Sequence, residues 1–316
     1  MPSVITLGET SVVFVARDLG RMRYCRDFTI RPGGAEATVA VGVSRLGFDA
    51  AWMSALGDDE PGHYLRSLIA GEGVDVSRVA MVRDQQTAIF LRERLPGGDA
   101  RHFYYRKGSA FSHFEPSMLD EEFIASARFL HLTGITPALS DSCDATCWRA
   151  LEVARAHGTK VTFDPNVRLS LWSREEARQR LQRYLTAADY VFPGMEDMRM
   201  MFGAIDRSEA LKIMIDLGCR RFALKDGKQD VLVHEDGLTV SLPVHHVEHP
   251  ADLMGAGDAF AAGCLAGLLR GLPLTEAARV GNAVAEFAIQ LPGNIESMPT
   301  WSEVERLMAG AEDWKR

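Results

Sequence analysis

The sequence has little cysteine and no excess of positive charge. Five cysteines are scattered over 316 residues, without the spacing of a disulfide framework or a zinc finger, which favours free thiols in a reducing compartment. Asp and Glu outnumber Lys and Arg by 43 to 35, giving a formal net charge of −8. This balance argues against a nucleic-acid partner bound through a broad basic face, but it is compatible with a local positive pocket for a small anion.

Long apolar runs and a readable secretion signal are also lacking. The most apolar run, residues 259–269, is too short to span a bilayer, and the first residues lack a basic segment followed by an apolar one. We therefore expect a cytoplasmic protein without a membrane partner. Apolar residues make up 47% of the chain and charged residues 25%, which is typical of a globular protein with a substantial core and excludes disordered or collagen-like classes.

β-Branched runs alternate with helical patterns along most of the chain. This alternation predicts an α/β fold in which a mostly parallel sheet is covered on both faces, with the ligand crevice at the carboxyl ends of its strands. Residues 12–30 and 87–108 break the alternation, and a glycine turn at 95–99 joins two strand-like runs in the second stretch. We predict a single domain over residues 1–316, with these antiparallel insertions together forming a small lid sheet and with the C-terminal third helical.

Residues 252–260, Asp-Leu-Met-Gly-Ala-Gly-Asp-Ala-Phe, carry most of the chemical information. Gly255 and Gly257 free the backbone to present N–H groups at the start of a helix, where unpaired donors and the helix dipole suit a transferring phosphoryl group. Asp258 lies just past this turn, where a carboxylate can serve as general base for an attacking hydroxyl. The competing interpretation is that Asp258 only caps the helix and that the glycines only permit close packing.

This segment resembles the C-terminal signature of the ribokinase-like sugar kinases, the PfkB family. The N-terminal signature of that family is also present, in Gly33-Gly34-Ala35 and in residues 56–59 followed by Gly62, so the resemblance covers nearly the whole chain in the right order. It implies a three-layer α/β/α fold with a β-strand lid, ATP and Mg²⁺ as cofactors, and homodimers formed through the lid. It implies catalytic roles for Asp258 as base and for the anion hole formed by Gly255, Ala256 and Gly257.

Within the family, residues 103–110 and 163–168 are most similar to 2-keto-3-deoxygluconate kinases. Tyr104 and Arg106 share one strand face and Arg168 follows a core strand, so two guanidinium groups could meet a substrate carboxylate. The resemblance implies three groups of binding residues: Gly33, Gly34, Phe90, Tyr104, Arg106, Asn166 and Arg168 for the sugar; Lys225, Gly227 and Asn282 for the nucleotide; and Asp197 for the metal.

Several positions depart from the family pattern. They are Thr38 for Asn, Phe90 for Tyr, Gly194 with Asp197 for Asn and Glu, Asp230 for Gly, and Leu253-Met254 for Thr-Thr. The base and the glycines are retained, which favours an active kinase, while the two arginines favour an acid sugar as its substrate. The alternatives are a kinase of a neutral sugar or nucleoside, in which the arginines contact phosphate or solvent, and a catalytically silent sugar-binding regulator. His245, His246 and His249 look like a metal cluster, but a solvated edge is the favoured interpretation.

Overall fold

The computed structural model describes residues 1–96 and 100–310. Its strands are β1 Val4–Leu7, β2 Ser11–Leu19, β3 Phe28–Gly33, β4 Ala50–Gly57, β5 Val79–Val82, β6 Ile89–Arg94, β7 Ala100–Tyr105, β8 Phe129–Thr133, β9 Lys160–Asp164, β10 Tyr190–Val191, β11 Arg221–Asp226, β12 Gln229–Glu235 and β13 Leu238–Leu242. Its helices are α1 Ala35–Arg45, α2 Glu60–Gly71, α3 Glu121–Ala125, α4 Asp141–His157, α5 Arg174–Ala187, α6 Met195–Phe202, α7 Arg207–Asp216, α8 Ala256–Leu269, α9 Leu274–Ala288 and α10 Trp301–Met308.

Nine strands form the main sheet, in the order β13-β12-β11-β10-β9-β8-β1-β4-β5. The strands from β11 to β5 pair in parallel, and β12 and β13 add an antiparallel edge. Neighbouring residues of β1 pack into different hydrophobic clusters. Val4 belongs to one cluster, and Ile5 and Leu7 belong to another. Since neighbouring strand residues point to opposite faces, helices cover both faces, which confirms the predicted three-layer α/β fold.

The second sheet is the lid, with four strands in the order β3-β2-β6-β7. Its position in the chain agrees with the predicted insertions, although β3 extends past residue 30 to Gly33. Each insertion is antiparallel, as predicted, since β2 pairs with β3 and β6 with β7, whereas the two insertions join through a parallel pair, β2 with β6, in which Val13 lies opposite Phe90. Two of the three strand pairs are antiparallel. Most of the expected glycine turn, residues 97–99, lies outside the described residues.

The apolar run at residues 259–269 forms most of α8, which is buried on all sides. Small residues allow this burial: a Cβ on Gly263 would stand 2.7 Å from Gly281 Cα, and one on Gly42 would stand 2.6 Å from Ala262 Cβ. Helix α8 therefore packs closely against α9 and α1, which fixes where its N-terminus emerges. Within the described part of the chain, no helix is long and apolar enough to cross a membrane.

Candidate active site

The N-terminus of α8 is shaped by two glycines. Gly255 has φ +82°, a left-handed conformation that favours glycine, and it turns the chain into the first residue of the helix, Ala256. A Cβ on Gly257 would stand 3.4 Å from Lys225 Nζ, so the missing side chain leaves room between the helix start and an ammonium group. Backbone N–H groups of a first helical turn and a cation next to them form a suitable site for phosphate.

Lys225, near the end of β11, is held at this place by Asp164. The Lys225 Nζ lies 2.7 Å from Asp164 Oδ2, and both side chains are largely buried. Burial opposes the ammonium charge, but the Asp164 carboxylate outweighs this effect and raises the pKa of Lys225 above its ordinary value. The predicted nucleotide-binding residue therefore keeps its positive charge beside the proposed anion hole.

The turn after β9 is held by two aspartates. Asp164 Oδ1 accepts a hydrogen bond from the backbone N–H of Asn166, which has φ +37°. Asp197 accepts one from Val167 N at 2.7 Å through Oδ1 and one from Gly194 N at 3.0 Å through Oδ2. Both carboxylate oxygens of Asp197, the predicted metal ligand, thus already accept hydrogen bonds from backbone N–H groups. Burial raises the pKa of Asp197 to about 6.

Asp258 lies in the first turn of α8, close to several charged groups. Burial, followed by the negative charges of Asp164 and Glu36, raises the pKa of Asp258 to about 7, and Lys225 and Arg168 act in the opposite direction. A carboxyl group with this pKa is suited to accept a proton from a sugar hydroxyl near neutral pH. The position and charge environment of Asp258 thus go beyond those of a simple helix cap.

With Asp258 as the predicted general base, the activity of this site should fall on the acid side of an apparent pKa of about 7, because only the ionised carboxylate accepts a proton. Asp164→Asn removes the charged neighbour that raises this pKa most, so the acid limb should move to lower pH. The kcat/KM for the sugar, measured against pH at saturating Mg²⁺ and ATP, checks both expectations. An acid limb at the same pH in the wild type and in Asp164→Asn would contradict this account.

The N-terminal glycines make room for other protein atoms. A Cβ on Gly33 would stand 2.5 Å from Val13 Cγ2 and 2.9 Å from Phe90 Cε1, and one on Gly34 would stand 2.6 Å from the Glu9 carbonyl oxygen. These glycines therefore bring the start of α1 against the lid and the chain after β1. Their predicted contact with the sugar stays a prediction.

Arg106 follows β7 and is bound by a carboxylate that the sequence analysis did not identify. Its Nε lies 2.8 Å from Glu9 Oε2, and Ser109 donates its hydroxyl hydrogen to Glu9 Oε1. The guanidinium also lies over the ring of Tyr104, 5.5 Å from its centroid. Arg106 is thus held in a fixed orientation with its charge balanced, and Arg168 is the more exposed of the two predicted arginines.

The inner face of the lid carries an aromatic cluster. The ring of Phe90 lies 5.0 Å from that of Tyr104 and 5.7 Å from that of His102, a residue that sequence reasoning missed. Burial lowers the pKa of His102, and the positive charges of Arg92 and Arg168 lower it further. Arg168, which follows β9, is thus near enough to the aromatic face of the lid for its charge to act on His102.

The predicted nucleotide residues Gly227 and Asn282 belong to neighbouring parts of the fold. Gly227 makes the turn between β11 and β12 with φ +57°, and Asn282 on α9 donates to the Pro243 carbonyl oxygen. His245 pairs with Glu286 at 3.3 Å. In residues 1–96 and 100–310, no group of three or more His, Cys, Asp or Glu is placed to hold a metal ion. The α8 N-terminus and Lys225 fit a phosphate chain, and Mg²⁺ would be held mainly by phosphate and water.

Comparison with known proteins agrees with this geometry. The model of the pfkB family carbohydrate kinases matches residues 1–301. The chain is 33% identical to a 2-dehydro-3-deoxygluconokinase of Bacillus subtilis over 94% of this chain and 92% of that protein. It is 31% identical to fructokinase-1 of Oryza sativa subsp. japonica over 98% of each chain.

Solved structures show the same fold. The 2-dehydro-3-deoxygluconokinase of Thermotoga maritima superposes with a TM-score of 0.89 at 25% identity, over 98% of this chain and all of that one. The predicted ribokinase-like fold, with its small lid sheet, is confirmed. The family match over nearly the whole chain, together with these relatives, shows that the protein belongs to the pfkB family of carbohydrate kinases, which are ATP-dependent phosphotransferases.

Proposed function

We propose that this kinase transfers the γ-phosphoryl group of ATP, with Mg²⁺, to the primary hydroxyl of an acid sugar such as 2-keto-3-deoxygluconate. The observation that carries the proposal is the place of Arg168. Its charge acts both on Asp258 in the core and on His102 in the lid. The guanidinium donates to the Val167 carbonyl oxygen, and no carboxylate among the described residues forms a salt bridge with it. A substrate carboxylate bound between base and lid would supply the missing partner.

The residues of this chain divide the chemical work. The hydroxyl of the sugar transfers its proton to Asp258 as its oxygen attacks the γ-phosphorus, and the bond from that phosphorus to the β,γ-bridging oxygen breaks. The N–H groups of residues 255–257 and the Lys225 ammonium stabilise the negative charge on the transferred group. ATP supplies the phosphoryl group, and Mg²⁺ neutralises phosphate charge when bound. The paired Asp164 keeps Lys225 in place before the nucleotide arrives.

A neutral-sugar kinase is the second candidate, and one contact favours it. Glu9 balances the charge of Arg106, which leaves one arginine instead of two for a substrate carboxylate. Fructokinases are also among the relatives, at about the same identity as the keto-deoxy acid kinases. The acid-sugar proposal is preferred because Arg168 has no carboxylate partner among the described residues, and a neutral sugar would leave its charge unbalanced.

A substrate screen separates the candidates. ATP consumption would be measured by coupled assay with 2-keto-3-deoxygluconate, 2-keto-3-deoxygalactonate, fructose, ribose and adenosine, each over a range of concentrations. We expect the highest kcat/KM for one of the two acid sugars. A higher kcat/KM for fructose, ribose or adenosine would contradict the acid-sugar proposal, and no consumption with any of them would favour the silent regulator.

The outer face of the lid should pair with a second copy of the chain. Ile30, Phe103 and Tyr105 are 51%, 42% and 62% exposed, which is unusual for large apolar side chains on one small sheet. We expect a dimer in sedimentation at micromolar concentration and a monomer for Phe103→Glu combined with Tyr105→Glu. A wild-type monomer, with and without substrate, would contradict this expectation.

A further inference from the structure

A buried ion pair joins the lid to the loop before α8. Arg92 on β6 meets Asp252 in a two-by-two arrangement, with 2.6 Å from Nη1 to Oδ2 and 2.9 Å from Nη2 to Oδ1. The side chains are 18% and 9% exposed. The two residues lie 160 positions apart in the chain, so the pair is a contact between separate parts of the fold.

On the core side, Asp252 orders the approach to the proposed anion hole. Its Oδ1 also accepts a hydrogen bond from Met254 N at 3.1 Å, directly before Gly255 makes its left-handed turn. The backbone N–H of Ala251 donates to the Ile289 carbonyl oxygen at 2.8 Å and holds the chain one residue earlier. Burial alone would raise the pKa of Asp252, but the hydrogen bonds from Arg92 lower it below its usual range and keep the carboxylate ionised.

On the lid side, Arg92 belongs to the face that lines the crevice. It lies two residues from Phe90 on β6, and its cross-strand partner on β7 is His102. Since alternate strand residues share a face, Arg92 lies beside the aromatic cluster of Phe90, His102 and Tyr104. Strand β6 thus both faces the proposed sugar site and binds Asp252 through Arg92.

We propose that Arg92 is a positioning residue for phosphoryl transfer. Through Asp252 it couples the sugar-facing side of the lid to the loop that presents the anion hole. Sugar under the lid then stabilises the phosphate site, and phosphate at α8 stabilises the closed lid. This inference rests on the proposed use of residues 255–257 as the anion hole, and it adds a link between two sites that the reaction needs at the same time.

The coupling between the sugar and phosphate sites can be tested without detaching the lid from the core. Arg31 on β3 forms a second anchor, donating to the Pro292 carbonyl oxygen at 2.7 Å and to Glu296 Oε1 at 3.2 Å. With this anchor present, loss of the Arg92 pair should leave the lid in place. The planar guanidinium matters, because a lysine ammonium does not reproduce the two parallel hydrogen bonds.

The test compares Arg92→Ala and Arg92→Lys with Arg94→Ala, a matched control on the same strand whose exposed guanidinium donates to the Arg17 carbonyl oxygen. For Arg92→Ala we expect kcat to fall by about 10–100-fold, and the KM for sugar at saturating ATP to rise, because the variant loses the gain in sugar affinity that bound nucleotide provides in the wild type. Arg92→Lys should recover little of this loss, and Arg94→Ala should resemble the wild type.

A binding measurement tests the coupling directly. In the wild type, 2-keto-3-deoxygluconate should increase the affinity for the non-hydrolysable analogue AMP-PNP with Mg²⁺, within the range of about 5–150-fold typical of coupled sites. In Arg92→Ala the ratio of AMP-PNP affinities with and without the sugar should approach one. The double variant Arg92→Met with Asp252→Asn leaves no unpaired buried charge, so it should regain thermal stability without regaining kcat or coupling.

Wild-type kcat and coupling in Arg92→Ala, or recovery of both in the double variant, would overturn the proposal. If the wild type consumes no ATP with any sugar, the proposed function fails instead. Hydrogen exchange of the ligand-free protein then still tests whether the Arg92–Asp252 pair orders the loop before α8. The amides of residues 253–258 should then exchange at least about tenfold faster in Arg92→Ala than in the wild type or Arg94→Ala. Equal exchange in all three proteins would likewise overturn the proposal.

Discussion

Asp258→Asn should reduce phosphoryl transfer by about 10²–10⁴-fold, the usual effect of losing a general base. The amide keeps the size of the carboxylate but cannot take the proton from the sugar hydroxyl. Binding of the sugar and of AMP-PNP, measured by titration calorimetry, should stay within a few-fold of the wild type. The kcat from steady-state assays, compared at the same sugar and ATP saturation, is the measurement that checks the loss.

Stability serves as the control for Asp258→Asn. The folded-state pKa of about 7 lies above the ordinary value of 3.8, so ionising this buried carboxyl at higher pH costs the folded state free energy. Above a pH of about 7 the variant should therefore be at least as stable as the wild type in the absence of ligands. A variant with near wild-type kcat would remove Asp258 from the mechanism, and one that melts earlier at this pH would show that Asp258 has a structural role.

Arg168→Ala should weaken binding of an acid sugar by roughly 10–200-fold, which corresponds to a charge-assisted contact of ~1.5–3 kcal/mol. A neutral analogue should lose far less, because it never made the contact. Calorimetric titration of both proteins with 2-keto-3-deoxygluconate and with fructose gives the four affinities needed. Arg174→Ala, at the exposed start of α5, is the matched control for loss of one arginine.

Arg168→Lys sharpens this comparison, because it keeps the charge but loses the planar pair of donors. We expect it to bind the acid sugar with an affinity between those of the wild type and the alanine variant. Equal losses for acid and neutral sugars in Arg168→Ala would show that Arg168 serves the fold or the phosphates. The substrate would then have to be sought among neutral sugars and nucleosides.

Local patterns in the sequence were sufficient to predict much of the fold. The alternation of strand and helix signals predicts the three layers, since both signals arise from periodicities within one segment. The turn at Gly255 and Gly257 could be predicted for the same reason, because the sequence itself shows glycine, which lacks a Cβ and tolerates the left-handed conformation that Gly255 adopts. The helix that follows this turn and carries Asp258 was also predicted, but its burial on all sides was not.

Pairing between distant segments could not be predicted. The parallel contact of β2 with β6 and the antiparallel edge of β12 and β13 depend on which strands meet, which local hydrophobic pattern does not specify. Glu9 holds Arg106 from 97 positions away, so the arginine was assigned to the substrate without its protein partner.

Buried polar groups around the site were missed for a similar reason. Glu36 is fully buried at the start of α1 and accepts hydrogen bonds from Thr133, the last residue of β8, and from Thr136 after it. Its neighbour Thr38, which replaces the family's Asn, is also buried, and its Oγ1 has no hydrogen-bond partner among the described residues. A sequence shows that such residues are polar, but their burial and partners follow only from the assembled layers.

The most direct test of the central claim is a competition between acid and neutral sugars for one enzyme. Equal concentrations of 2-keto-3-deoxygluconate and fructose would be incubated with ATP, Mg²⁺ and the wild-type protein, and the phosphorylated products identified by ³¹P NMR and mass spectrometry. This account predicts that 2-keto-3-deoxy-6-phosphogluconate is the main product and that it is lost in Asp258→Asn. Fructose phosphate as the main product, or phosphorylation that persists in Asp258→Asn, would contradict it.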